Sequence, residues 1–252
     1  MQLLFDLVPP ILPEVRERLL GLFGPQQPLG RMDPLSQMIK SVVSARTYDA
    51  TSWAAFVELR KAFPDWDALG DTAPAEIERV LAPTTHAAQK ARQLPVLIRV
   101  LRTRPCGLDM SFLADHPVEQ AMSWLRALPG IGPLTAAATL NFSTLAMRAF
   151  VIDTHVHRVL RRLGIVDRKG DTAEAYERMM SLIPAEWTAE DLFELHWLFK
   201  GLGQDTCTAQ LALCGRCPLK PLCPRVDVTV RAPVVPFPAQ SSSRSRSQTP
   251  NS

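Results

Sequence analysis

Leu128-Pro129-Gly130-Ile131-Gly132-Pro133-Leu134-Thr135-Ala136-Ala137-Ala138-Thr139-Leu140, a short connection, and then Val151-Ile152-Asp153-Thr154-His155-Val156-His157 form the stretch on which the fold turns. Gly130 and Gly132 flank one apolar residue immediately before Pro133. Proline suits the first position of a helix, where its missing N–H has no helical partner. Glycine permits a sharp turn and a close approach to a neighbouring surface. The pattern predicts a tight turn between two helices, Leu128 to Thr139, with free amides at a helix N-terminus able to receive an anion. Asp153 follows Gly132 by 21 residues, at the edge of an apolar run.

Outward from this centre, apolar residues recur at helical spacing. Asp33-Pro34 reads as a cap and a first turn, and Leu35, Met38, Ile39, Val42 and Val43 then make one stripe. Residues 1–31 read as a short helix and a Gly/Pro-rich connection from Gly24 to Gly30. Trp53, Phe56 and Val57 mark a further helix, and Ile77, Val80 and Leu81 another. Pro83-Thr84-Thr85-His86 interrupts before Ala87 to Leu94. Pro95 is expected to kink or split the helix it lies in. Pro117 starts the helix bearing Val118, Ala121, Met122 and Leu125. Val156, Val159, Leu160 and Leu163 precede a stop at Gly164, and Tyr176, Met179, Met180 and Ile183 precede Pro184. Leu192, Leu195, His196 and Phe199 belong to a last helix from Thr188, expected to close at Gly201 or Gly203. No alternating strand pattern stands out before the tail, so the expected fold is all-α. From about Val226 the chain is rich in Pro, Ser and Arg, and Ser241 to Ser252 is expected to be disordered.

The totals exclude little. A chain of 252 residues, 46% hydrophobic and with few aromatics, fits a globular protein with one large or two modest cores. The net charge of +3 does not announce a polyanion partner, although six lysines against twenty-two arginines favour bidentate phosphate contacts. The Leu3-to-Leu12 run is short, holds Asp6 and two prolines and has no basic head, so neither a signal peptide nor a membrane span is expected. A cytoplasmic location is the default expectation.

Four of the five cysteines fall within seventeen residues, Cys207, Cys214, Cys217 and Cys223, spaced C-x6-C-x2-C-x5-C. A dense group in a cytosolic chain points to a metal rather than to disulfides. Four soft thiolates suit zinc or a [4Fe–4S] cluster, and the single C-x2-C pair leans towards the cluster, since structural zinc more often uses two short-spaced pairs. Cys106 lies outside the group and reads as a thiol without a role.

The hairpin, the segment ending in Asp153 and the cysteine loop together resemble the endonuclease III superfamily of base-excision DNA glycosylases, over roughly residues 30–225. The resemblance implies two helical domains with a DNA-binding cleft between them. A six-helix domain would cover residues 27–146, a cluster-bearing domain 1–26 plus 147–225, and a disordered tail 226–252. It makes a [4Fe–4S] cluster the cofactor of Cys207, Cys214, Cys217 and Cys223, leaving zinc as the minor alternative. Its partner would be double-stranded DNA carrying a lesion or mismatch, bound by a monomer away from any membrane.

The same resemblance assigns roles by position. The hairpin residues Gly130, Ile131, Gly132 and Thr135 would grip phosphates without reading sequence. Arg46 stands where relatives commonly place a Gln that plugs the gap left by an extruded base, and His86 lies in the second inserting loop, ahead of a matching Lys90-Ala91. Ser44 and Leu134 would line the pocket. Asp153 would stabilise the positive charge that develops on the sugar and orient or deprotonate the nucleophile, a role compatible with its also capping a helix before Thr154.

One position departs from the pattern. Bifunctional relatives carry a lysine just after the hairpin, whose amine attacks the sugar carbon and leads to strand nicking. Leu134 holds that position here, and none of the six lysines occupies an equivalent motif position. The expected enzyme is therefore a monofunctional glycosylase in which Asp153 activates water. A protein that retains the scaffold and binds lesions without cutting is the competing class, and a zinc-stabilised transcription regulator is a third. A lysine-free pocket suits oxidised, mismatched or alkylated bases and uracil alike.

Overall fold

A computed structural model describes residues 11–167 and 170–228. The Leu3-to-Pro10 part of the N-terminal run and the tail beyond Val228 lie outside the described residues. Within them the chain is helical: α1 (Ile11–Phe23), α2 (Pro34–Ser44), α3 (Asp49–Ala62), α4 (Pro74–Leu81), α5 (Ala87–Arg102), α6 (Val118–Arg126), α7 (Pro133–Phe142), α8 (Thr154–Arg162), α9 (Thr172–Leu182) and α10 (Ala189–Asp205), with 3₁₀ turns at Trp66–Gly70 and Ser111–Asp115. Among the described residues β-pairing is confined to isolated bridges, Met32 with Ser143 and Cys207 with Ala212. No described helix is long and apolar enough to cross a membrane.

Local chemistry accounts for most helix starts. The Asp33 carboxylate accepts from Ser36 N at 2.8 Å with Pro34 at the first position of α2. Asp171 and Thr188 head α9 and α10 with reciprocal capping boxes, each satisfying two amides that the helix leaves unpaired. The stripes then pack. Leu35, Met38, Ile39, Val42 and Val43 of α2 are all buried, and α2 lies against α3, α5 and α7. A second set forms where α10 packs on α1 and α8, and α7 touches both α9 and α10. One continuous apolar core runs through the whole.

One sequence expectation fails and one is narrowed. Of the two outcomes expected at Pro95, the split does not occur: α5 runs from Ala87 to Arg102 with Pro95 buried inside. The proline forfeits one hydrogen bond to the Ala91 carbonyl, and the burial of Leu94, Leu97, Ile98 and Leu101 offsets the loss. Nor does α10 close at Gly201 or Gly203; it continues to Asp205. Gly203 serves a different purpose. A Cβ there would stand 2.9 Å from Cβ of His155, so the glycine lets α8 and α10 approach closely, and that approach brings the start of α8 against α10.

Candidate active site

A cavity of about 890 Å³ opens between the two sets of helices. Leu134, Ala138 and Phe142, at four-residue spacing on α7, give it an apolar wall; α2 and the turn after it contribute Lys40, Ser44, Arg46 and Tyr48; Asp153 and His155 come from the start of α8, and His196, Lys200 and Gln204 from α10. Asp153, Leu134, Ser44 and Arg46 are thus brought together from positions up to 109 residues apart, 153 against 44. Ser44 Oγ is buried without a hydrogen-bond partner among the described residues. A buried hydroxyl left unpaired is costly, and in a cavity wall it is available to a ligand.

Asp153 caps α8 and faces the cavity at the same time. Its Oδ1 accepts from His155 N and Val156 N, both at 2.8 Å. Its other oxygen, Oδ2, stands 3.8 Å from Nζ of Lys200, and the carboxylate side chain is 17% exposed. Capping fixes the carboxylate to a rigid helix end while leaving one oxygen uncommitted to the backbone. The cap and the cavity-facing carboxylate oxygen belong to one residue using two atoms.

Lys200 is the feature that sequence reading missed. Its ammonium donates to Asp49 Oδ1 at 2.9 Å, sits 4.8 Å above the Trp197 ring and is only 10% exposed. Asp49 is also held by Gln204 Nε2 at 3.0 Å. Burial pushes the Asp49 carboxyl up, but the hydrogen bond and charge of Lys200, with Gln204, hold it below the usual range. Burial and the Lys200 charge lower Lys40. Burial pushes His196 down to about 4, so a neutral imidazole sits behind Asp153 with Nδ1 2.8 Å from the Val151 carbonyl. A signal was available: His196 and Lys200, four residues apart and both buried, interrupt the otherwise apolar face of α10, which is where polar groups of a site stand out.

Two loops form the rim. Arg46 and His86, both exposed, adopt left-handed backbone angles, φ 55° and 58°, a conformation that costs non-glycine residues about 1 kcal/mol or more and clusters at functional sites. Lys90, buried, ties the two loops together: its Nζ donates to Val43 O at 2.7 Å and to Thr47 Oγ1 at 2.9 Å, and Thr85 N donates to the same hydroxyl at 3.2 Å. Burial lowers Lys90 to about 8.

The hairpin lies beside the cavity, with Leu134 as its link to the lining. Gly130 has φ +73°, and a Cβ there would collide with Gln93 at 2.4 Å; the Gln93 amide donates to Gly130 O at 3.0 Å. Gly132 faces open space, and Thr135 lies in the first turn of α7. Ile131, expected among the phosphate-gripping residues of the hairpin, turns its side chain inward. Its side chain is 5% exposed and belongs to the core, and its amide bonds the Leu128 carbonyl at 3.2 Å. An apolar residue between two turn glycines is the hairpin's anchor.

Away from this cavity, Cys207, Cys214, Cys217 and Cys223 line one small pocket, and all are free thiols. Burial raises the thiols of Cys217 and Cys223. Among the described residues no three His, Cys, Asp or Glu side chains are grouped so as to hold a single metal ion. Arg162, buried, stitches the loop to α8: Nη1 donates to Cys207 Sγ at 3.2 Å and to Thr208 O at 2.8 Å. Leu219 is the loop's buried apolar residue. Of the loop's basic residues, Arg216 pairs with Asp205 at 3.0 Å, while Lys220 and Arg225 border the cysteine pocket.

Residues 39–185 match the family model described as "HhH-GPD superfamily base excision DNA repair protein". Endonuclease III-like protein 1 of Gallus gallus is 27% identical over 188 residues, covering 74% of this chain, which spans 62% of that relative's length. Endonuclease III of Synechocystis is 28% identical over 197 residues, 78% of this chain and 83% of the relative. Among solved structures, a trapped endonuclease III–DNA covalent intermediate aligns with a TM-score of 0.71 at 24% identity over 85% of this chain and 95% of the other. A thermostable thymine-DNA glycosylase aligns with a TM-score of 0.66 at 18% identity, over 85% and 94%.

Proposed function

From the premise that this chain belongs to the HhH-GPD superfamily of base excision DNA repair proteins, a family of DNA glycosylases, we propose that it is a monofunctional glycosylase. It would hydrolyse the N-glycosidic bond of a damaged or mismatched base in double-stranded DNA, acting as a monomer. One observation carries the reading: Asp153 keeps one carboxylate oxygen off the backbone, beside Lys200, in a cavity whose facing side chain at 134 is an inert leucine. A volume of about 890 Å³ falls in the range of small-molecule sites, about 300–1,000 Å³.

The base is first extruded, at a cost of about a few kcal/mol that is least for damaged or mismatched pairs. Arg46 and His86, preset in left-handed turns, fill the vacated space, and the amides around Gly132 and Thr135 hold phosphate. As the bond from C1′ to the base nitrogen lengthens, its electron pair leaves with the base and positive charge grows on the sugar. Asp153 stabilises that charge and takes a proton from the attacking water. Lys200, fixed by Asp49, holds Asp153 from behind, while Ser44 Oγ offers the everted base a hydrogen bond.

The donor set of the second pocket fits a [4Fe–4S] cluster: four thiols, no competing carboxylate or imidazole among the described lining residues, and a guanidinium on Cys207. Cys207, Cys214, Cys217 and Cys223 would hold it, and when bound it would act as a covalent cross-link for a loop with few apolar residues. The division into residues 27–146 and 1–26 plus 147–225 belongs to the same reading, and it follows the packing of α1 on α10.

The test is a panel of duplexes, each with one lesion or mismatch, incubated with and without subsequent alkali. Alkali-dependent cleavage of at least one substrate, with no covalent adduct trapped by borohydride, is the expected result. Efficient trapping by the wild-type protein overturns the monofunctional reading, and tight lesion binding without product assigns the chain to the non-catalytic class. Elemental analysis is expected to give about four irons per chain. Cys217→Ser should lose the iron together with the loop's resistance to proteolysis; stoichiometric zinc in place of iron would refute the cluster.

A further inference from the structure

Tyr48 occupies the N-cap position of α3, yet its side chain makes no capping hydrogen bond, where Ser, Thr, Asp or Asn would be the ordinary choice. Nor is it part of the core, for its side chain is 89% exposed. It borders the cavity that holds Asp153 and Leu134. The side chains on either side are tied down. The Thr47 hydroxyl is held by Lys90 and by the Thr85 amide, at 2.9 Å and 3.2 Å, and the Asp49 carboxylate by Lys200 and Gln204, at 2.9 Å and 3.0 Å. Anchored side chains at 47 and 49 thus bracket the exposed ring at 48.

We propose that Tyr48 is a nucleobase-stacking residue, its ring lying on a base that flanks the everted nucleotide, beside the gap entered by Arg46. The proposal rests on the glycosylase reading above and adds to it a second contact on the same rim. A charged phosphate contact would use Lys or Arg and a hydroxyl contact needs no aromatic ring, while a base-edge contact calls for a side chain with paired donors and acceptors. A flat ring with a wet edge suits the face of a base, and every base presents such a face, so stacking tolerates any sequence around the lesion. A rigid frame on both sides removes the ordering cost that a mobile loop would incur on binding.

The experiment measures binding of the full chain to a duplex with a single tetrahydrofuran abasic site, to the matching intact duplex, and to the abasic duplex with 2-aminopurine beside the site. The wild type should prefer the abasic duplex and quench the 2-aminopurine. Tyr48→Ala should lower the ratio of abasic to intact affinity by about 5- to 150-fold, the equivalent of about 1–3 kcal/mol per stacked base, and abolish the quench. Tyr48→Trp should keep both. A wild-type ratio and quench in Tyr48→Ala overturn this role and leave the glycosylase reading standing. A wild-type protein that does not distinguish the two duplexes overturns both.

Discussion

Asp153→Asn is expected to slow base release by about 10²–10⁴-fold, the usual effect of removing a general base, while melting temperature and DNA affinity stay close to wild type. The separation follows from the two oxygens. Asparagine caps a helix about as well as aspartate, so its side-chain oxygen can keep the bonds from His155 N and Val156 N that anchor α8. What disappears is the charge on Oδ2, beside Lys200. Lys200 retains its bond to Asp49, so it is not left as a buried unpaired cation. Asp153→Ala would confound the result, because it removes the cap as well, at about 1 kcal/mol. The measurement is single-turnover base release on whichever duplex of the lesion panel is processed, alongside thermal melting and a binding titration. A variant within a few-fold of the wild-type rate would leave the proposed hydrolysis without its base.

Leu134→Lys is expected to convert the protein into one that forms a covalent adduct with DNA. Leu134 follows Pro133 in the first turn of α7 and lines the same cavity as Asp153. An amine installed there would meet the positive end of the α7 dipole and the cations Lys40 and Lys200 across the cavity. All three disfavour the ammonium and favour the neutral, nucleophilic form. Borohydride should then trap a protein–DNA adduct on an abasic duplex, rising from background to a major fraction of the DNA, with strand nicking in parallel runs without borohydride. Adding Asp153→Asn should suppress both. No adduct from a variant that still binds the duplex would mean that position 134 does not face the sugar, and that the leucine is not what makes the protein monofunctional.

Much of the molecule was determined locally and so was open to sequence reading. Helix starts at Asp33-Pro34, Asp171 and Thr188 depend on side chains within three residues of the amides they satisfy, and the start at Pro133 on a proline whose missing N–H has no helical partner. The all-helical fold follows from apolar stripes at 3.6-residue spacing, and the cysteine loop from four thiols close in the chain. Asp153 and Leu134 were legible because they belong to contiguous motifs. The remainder depended on which surfaces meet. Pro95 lies inside a helix because the burial around it outweighs one lost hydrogen bond, and Gly203 continues α10 because α8 needs the room a Cβ would take. Ile131 looks like a surface residue in a turn and becomes a core anchor only when α6 and α7 close over it. Lys200 acquires a role only when α10 is laid against α3 and α8, since Asp49 and Asp153 lie 151 and 47 residues away in the chain. A short-range pattern can specify a helix and its caps. The partner of a buried charge is chosen by the packing of distant segments, where desolvation makes an unpaired lysine costly and a carboxylate beside it stabilising.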